Sequence, residues 1–328
     1  MDDKNMECPF LIFSGRNSQP LTDKICEYLK SKLPFDVCGQ INAENFSDGE
    51  IRVQIKNNVR GKEVFVLQST NPPADNLLEL LIIVDALKRA SAEKITVIIP
   101  YFGYARQDRK THGREPITAK LMANVIESAG VNRVVCVDLH AGQIQGFFNV
   151  PMDDLKTVKL FAEQIKKDFS DFNNLVIASP DAGGAKRAEK LTSYMPGSSW
   201  VICYKNRHHD DKDNVSDFKI LGDVKNRDVV IIDDVTSTFS TIKGAATEIL
   251  NQGARSVSAG IAHWACPDEV TDKIKEHTNI KNIYITNTCP RSAYPISLWV
   301  AKEIDVSQLL SETILRIVNH DSVSGLLE

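Results

Sequence analysis

Residues Val229 to Thr241 read VVIIDDVTSTFST. Four apolar residues run without a polar break, the pattern of a strand buried on both faces, and end in a carboxylate pair, Asp233-Asp234. A hydroxyl-rich turn follows (Thr236, Ser237, Thr238, Ser240 and Thr241) before an apolar-periodic run opens at Ile242. A helix amino terminus presents unbonded N–H groups and partial positive charge, which suit a phosphate, and Ser and Thr side chains add donors. Two carboxylates just before such a seat suit sugar hydroxyls or a cation. The plainer alternative is an N-cap at Ser240 or Thr241 and a solvated strand end at Asp233-Asp234.

The same alternation extends in both directions. Strands are expected at Phe10 to Phe13, Val64 to Gln68, Ile95 to Pro100, Val134 to Asp138, Leu175 to Ser179, Val201 to Tyr204, Val229 to Asp234, Val257 to Ile261 and Ile283 to Thr286. Helices are expected at Thr22 to Lys30, Asp75 to Ala90, Ile117 to Ala129, Leu155 to Asp168, Lys186 to Ser193, Thr241 to Gln252 and Val306 to Ile317. Pro116 fits the first turn of the third helix and Gly130 its end. Continuous apolar strands alternating with amphipathic helices give an α/β class with mostly parallel sheets flanked by helices. No low-complexity linker is present, and the best boundary lies near Val150-Pro151-Met152. Three strands run into acids or His followed by small residues or a turn: VDLHAG at 137–142, SPDAGG at 179–184 and IDDV at 232–235. Open α/β sheets carry ligands at the carboxyl ends of strands, so these acids are expected beside one another on one rim. The two-residue strand period is expected to turn Asp138 and His140 the same way.

The 328 residues fit two domains better than one. Hydrophobic residues at 42% and charged residues at 25% argue for a folded globular chain. A formal charge of −4 argues against nucleic acid held by bulk charge. MDDKN lacks the basic-then-apolar pattern of a secretion signal, and the apolar stretch from Leu77 to Leu87 is broken by Glu79 and Asp85. A cytoplasmic protein without a membrane partner is expected. Seven cysteines, with no Cys-x-x-Cys, disfavour both a disulfide framework and a thiolate zinc site. There is no Gly-x-Gly and no Gly-x-x-x-x-Gly-Lys, so the dinucleotide fingerprint, the kinase glycine loop and the P-loop are all missing.

His140 and Asp181 add hard donors to two further strand ends. Mg²⁺ prefers oxygen and keeps waters, so one carboxylate with substrate phosphates makes a sufficient cage. Lys205-Asn206-Arg207-His208-His209-Asp210-Asp211-Lys212 is a solvated loop, or a lid whose Lys205 and Arg207 neutralise phosphate oxygens. FSDGE at 46–50 and Tyr104 to Arg109 each combine an aromatic ring with donors and acceptors.

Taken in order, these segments resemble the phosphoribosyl pyrophosphate synthetase, or ribose-phosphate pyrophosphokinase, family over nearly the whole chain. The resemblance rests on FSDGE (46–50), VRG (59–61), DNLLELL (75–81), PYFGYARQDRK (100–110), PITAKLMAN (116–124), VDLHAGQIQGFF (137–148), SPDAGGAKR (179–187), GDV (222–224), VVIIDD (229–234) and LSETILRI (310–317). It implies two tandem type I phosphoribosyltransferase-like domains: 1–151 with 307–328 on the ATP side, and 152–306 on the ribose 5-phosphate side. It also implies Mg²⁺-dependent transfer of the diphosphoryl group of ATP to the anomeric hydroxyl of ribose 5-phosphate. By resemblance, Phe46 stacks on adenine, Asp48, Gly49 and Glu50 read its edge, and Arg106 and Gln107 meet ATP. His140 and Asp181 match the magnesium positions, Lys205 the catalytic lysine and Arg207 the arginine two residues on. Asp233 and Asp234 match the pair on the ribose hydroxyls, and Ser237, Thr238, Phe239, Ser240 and Thr241 fall on the loop for the 5-phosphate. The family implies a hexamer built from dimers, activated by inorganic phosphate and inhibited by ADP; Arg60 and Ser322 to Ser324 lie in segments resembling parts of that effector site.

Two departures stand out. Where the family loop reads Asp-Asp-x-x-Asp-Thr-Gly-Gly-Thr or close to it, this chain has Ser237 for the third Asp, and Phe239 and Ser240 for the Gly or Cys and the Gly. Asn206 replaces a basic residue between Lys205 and Arg207. A left-handed backbone at a non-glycine residue costs about 1–2 kcal/mol, and a lost charge-assisted contact about 1.5–3 kcal/mol. Together, about 4 kcal/mol is roughly a thousandfold in affinity. The alternative function is therefore a catalytically weak paralogue that regulates an active partner in a mixed oligomer.

Overall fold

The structure is a computed structural model that describes residues 8–206, 217–267, 269–270, 274, 279–290 and 301–327; of Lys205, Asn206 and Asp217 only the backbone is described. It forms two units, Met1–Lys156 with Thr288–Pro290 and Asp305–Glu328, and Thr157–Asn287 with Arg291–Ile304.

In the first unit the apolar runs become a five-stranded, all-parallel sheet ordered β1 (Phe10–Ser14), β4 (Glu63–Leu67), β5 (Lys94–Ile99), β6 (Arg133–Val137) and β7 (Met152–Leu155). Alternate strand residues face opposite sides. Val64, Val66, Val97, Ile99, Val134 and Cys136 pack against α2 (Asp75–Arg89) and α3 (Thr118–Ala129). The other face is covered by α1 (Gln19–Lys30) and the returning carboxyl-terminal helix α7 (Ser307–Val318), joined by Tyr28 Oη donating to Glu312 at 2.6 Å and Lys24 pairing with Asp305 at 3.0 Å. An antiparallel hairpin, β2 (Ile41–Asn45) and β3 (Ile51–Ile55), stands apart from this sheet, with Ile41, Val53 and Ile55 turned onto the core.

The second unit carries a seven-stranded sheet ordered β10 (Asp217–Leu221), β9 (Ser199–Asn206), β8 (Leu175–Ser179), β11 (Asp228–Thr236), β12 (Ser256–Trp264), β13 (Ile280–Thr286) and β14 (Ala301–Ile304). Only β9–β10 is antiparallel. Two-sided burial is explicit in β11: Val229 and Ile231 pack with α6 (Ser240–Asn251), and Val230 and Ile232 with α4 (Val158–Asp168) and α5 (Ala185–Ser193).

Four expectations change. Leu155 ends strand β7 and α4 begins at Val158 rather than Leu155, because Asp153 and Asp154 are neutralised in the strand by Arg133 and Lys156. Pro116 lies before the Ile117 cap of α3 rather than in its first turn, whereas Gly130 closes that helix at φ +110°. Cys26 and Cys38 are disulfide-bonded: residues 37–39 lie along β1 beneath α1, bringing two cysteines twelve positions apart to a Cα separation of 6.0 Å. Asp138 and His140 do not face alike. Asp138 is left-handed (φ +43°) and buried while His140 is exposed, because β6 has ended and its period no longer applies.

Candidate active site

In the second unit the chain leaves β8 toward β9 on one side and returns with β11 on the other, so strand order reverses between β8 and β11. Loops part at such a point, and open α/β sheets bind ligands there. Pairing of the two strands ends at Ile231 opposite Ala178, whereas β12 continues beside β11 as far as Thr236 opposite Trp264. Asp233 and Asp234 therefore stand past the end of β8 yet remain held by a neighbouring strand. The Asp234 N–H donates to Asp233 Oδ1 at 2.9 Å, and Arg187 Nη1 lies 3.4 Å from Asp234 Oδ1 and 3.9 Å from Asp233 Oδ1. Loss of water, then the adjacent Asp234 charge, push the Asp233 carboxyl well above the usual range, and Arg187 works against that rise.

Asp181 follows β8. Its backbone carbonyl accepts from Ser179 Oγ at 2.6 Å and its Oδ1 accepts from the Gly184 N–H at 3.0 Å, which folds SPDAGG into a tight turn ahead of α5. The loop after β11 is stitched by Phe239 N–H donating to Thr236 Oγ1 at 3.0 Å and by a 2.9 Å contact between the Thr238 and Ser240 hydroxyls. Phe239 is left-handed, and Ser240 is already the first residue of α6. Of Phe239 and Ser240, only Phe239 takes the left-handed backbone. Ser237, Thr238, Ser240 and Thr241 stay on the accessible side, while the Phe239 ring turns into the core.

The first unit gathers the other set. Phe46 to Glu50 make the tip of the β2–β3 hairpin, closed by Phe46 N–H to the Glu50 carbonyl at 2.8 Å and Gly49 N–H to the Phe46 carbonyl at 2.9 Å. Gly49 has φ +96°, which only glycine adopts without strain, and Asp48 Oδ1 accepts from the Glu50 N–H. The Phe46 ring is 49% exposed with the Arg52 guanidinium 5.7 Å from its centre, so one aromatic face is presented for stacking. After β5, Gly103 sits so close to Thr70 that a Cβ would meet its carbonyl oxygen at 2.1 Å. That close approach fixes the segment from Tyr104, where Gln107 N–H bonds the Tyr104 carbonyl and Thr118 Oγ1 the Gln107 side chain; Arg106 is exposed. Gln143, just beyond His140, donates to Asp108 at 2.8 Å and links this segment to the turn after β6. Asp154 Oδ1 holds that turn by accepting the Leu139 N–H at 3.0 Å.

The acids thus fall into two groups rather than on one rim: Asp138 and His140 belong to the five-stranded sheet, Asp181, Asp233 and Asp234 to the seven-stranded one. The Lys205 backbone lies in β9 opposite Phe218, and Arg207 lies outside the described residues. Among the described residues no three His, Cys, Asp or Glu side chains form a protein-only metal cage. His140, in the first unit, and Asp181, in the second, are both exposed. Two supporting residues were missed in the sequence reading, Arg187 and Asp154. For Arg187 a signal existed, since a cation in a helix first turn opposes the helix dipole unless a partner holds it there. Elsewhere in the first unit a cavity of about 380 Å³ is lined by Arg133, His320, Ser322 and Ser324.

A family model described as the N-terminal domain of ribose phosphate pyrophosphokinase matches residues 10–130, and one described as the phosphoribosyl synthetase-associated domain matches residues 209–328. A curated ribose-phosphate pyrophosphokinase from Porphyromonas gingivalis is 42% identical over 322 residues, covering 98% of this chain and 99% of that protein. This chain belongs to the ribose-phosphate pyrophosphokinase family. A second such pyrophosphokinase, from Thermotoga maritima, is 43% identical over 318 residues, 96% of this chain and 97% of the relative. The crystal structure of a phosphoribosylpyrophosphate synthetase from Mycobacterium smegmatis is similar at a TM-score of 0.85 and 34% identity, covering 95% of this chain and all of that one. Full-length coverage at this identity makes this chain a pyrophosphokinase family member along both units, with the α/β architecture the motifs implied. No described helix is long and apolar enough to cross a membrane.

Proposed function

We propose that the chain is a ribose-phosphate diphosphokinase that converts ATP and ribose 5-phosphate to phosphoribosyl pyrophosphate and AMP. The observation that carries this reading is the carboxylate pair Asp233-Asp234, held by Arg187 at the strand-order reversal and followed at once by a hydroxyl-lined helix amino terminus. Such a pair accepts hydrogen bonds from two ribose hydroxyls, and the N–H groups and hydroxyls of Ser237, Thr238, Ser240 and Thr241 neutralise the 5-phosphate. On the nucleotide side, Phe46 stacks on adenine, Asp48, Gly49 and Glu50 read its edge, and Arg106 and Gln107 hold ATP. His140 in the first unit and Asp181 in the second are each proposed as Mg²⁺ positions, and Mg²⁺ when bound would screen the phosphate charges. The anomeric hydroxyl loses its proton and forms a bond to the β-phosphorus while the bond from that phosphorus to the α-phosphate oxygen breaks, releasing AMP. Lys205 and Arg207 supply positive charge for the phosphoryl oxygens as that charge redistributes.

Phosphorus NMR of the reaction mixture tests this directly. AMP and a sugar 1-diphosphate are the expected products; ADP with a sugar 1,5-bisphosphate would overturn the reading. Inorganic phosphate and ADP are proposed as effectors, with Arg60 and Ser322 to Ser324 in their recognition, and a homo-hexamer built from dimers, checked by light scattering, as the working assembly in the cytoplasm.

A further inference from the structure

The loop at 236–240 places a bulky residue at a left-handed turn of the backbone. Phe239 sits at φ +60° and ψ 0°, a left-handed conformation that glycine adopts freely and a bulky residue does not. Its ring is 2% exposed and lies 5.5 Å, centre to centre, from the ring of Trp264, itself 5% exposed. Trp264 is the cross-strand partner of Thr236, and Thr236 receives the Phe239 N–H on its hydroxyl. The Phe239 carbonyl accepts the Lys243 N–H. One residue therefore ties the loop to three elements, by its ring to β12, by its N–H to β11 and by its carbonyl to α6.

Because that N–H is turned inward, the phosphate seat is left to the neighbours that face outward, Ser237, Thr238, Ser240 and Thr241. We infer that Phe239, wedged against Trp264, is a positioning residue that holds this loop in its phosphate-binding shape. The inference rests on the reading of 237–241 as the ribose 5-phosphate loop. A loop tied at three points loses less freedom when its ligand binds, so the wedge lowers the cost of seating the phosphate. Replacing Phe239 by glycine relieves the left-handed strain but releases the loop, and the release is expected to dominate.

Steady-state kinetics with each substrate varied separately test this. Phe239→Gly is expected to raise KM for ribose 5-phosphate about tenfold or more, about 1.4 kcal/mol, while KM for ATP stays within about twofold. Phe239→Leu, which restores apolar bulk, is expected to recover most of the loss; a role in stability alone would lower the active fraction and leave both KM values in place. Trp264→Leu is expected to move KM for ribose 5-phosphate the same way, and carries the test if the glycine variant does not fold. Unchanged or lower KM for ribose 5-phosphate in these variants, with the parent protein binding that sugar phosphate by calorimetry, overturns the inference and leaves the site reading intact. A parent protein that binds no ribose 5-phosphate overturns both.

Discussion

Arg187 stands in the first turn of α5, where the helix dipole disfavours a cation, and what keeps it there is the Asp233-Asp234 pair 3.4–3.9 Å away. The arrangement is costly to the fold and useful to the site. Asp233 has a raised pKa in the folded protein, first through burial and then through Asp234. A carboxyl shifted upward favours folding at low pH and loses that contribution as pH rises through the folded value. Asp233→Asn is therefore expected to raise the thermal midpoint near neutral pH by about 2–4 °C, the shift roughly 1 kcal/mol gives in a domain of this size. The gap between variant and parent is expected to close in acid, where Asp233 is protonated in both the folded and unfolded states. The same variant is expected to lose about 1.5–3 kcal/mol of ribose 5-phosphate binding, so calorimetry and thermal unfolding must move in opposite senses. A variant that loses both stability and binding would show that the pair is structural.

Among the elements, β7 best shows how context overrides sequence. Met-Asp-Asp-Leu was not expected as a strand, yet Asp153 pairs with Arg133, and Asp154 pairs with Lys156 and receives the buried Leu139 N–H. Asp154→Ala strands that N–H and is expected to cost about 1–3 kcal/mol in urea unfolding; Asp154→Asn, which keeps an acceptor, is expected to cost less. Equal losses would mean that the ion pair, not the N–H, is what matters. The central strands of both sheets and all seven described helices were legible, with only α1 and α4 displaced by three residues at their starts, because burial on two faces leaves unbroken apolar runs and burial on one face leaves helical periodicity. The strands that escaped are the hairpin pair β2–β3 and the edge strands β7, β10 and β14, which are short, polar or half-covered. Candidate site residues stood out where acids and hydroxyls cluster locally. Arg187 did not, since its partners lie 46 and 47 positions away, and neither did the inward turn of Phe239, which depends on Trp264 in the next strand.

At the scale of the whole molecule, the chain builds two α/β units and returns residues 305–328 to the first, where α7 packs on α1. Phe46 to Glu50, Arg106, Gln107 and His140 belong to one unit, and Asp181, Asp233-Asp234 and the hydroxyl loop to the other. Lys205→Ala is expected to lower kcat by orders of magnitude with ATP affinity largely kept, because its charge acts mainly in the transition state; a matching loss of ATP binding would make it a ground-state ligand instead. The central claim is that the altered 237–241 loop still seats ribose 5-phosphate for turnover. The direct measurement is the initial rate of AMP formation by the purified chain with Mg²⁺ and ATP as ribose 5-phosphate is varied, repeated across inorganic phosphate concentrations. A saturable rise in AMP with ribose 5-phosphate is the expected result. No AMP at any ribose 5-phosphate concentration, with ATP still bound, would contradict it.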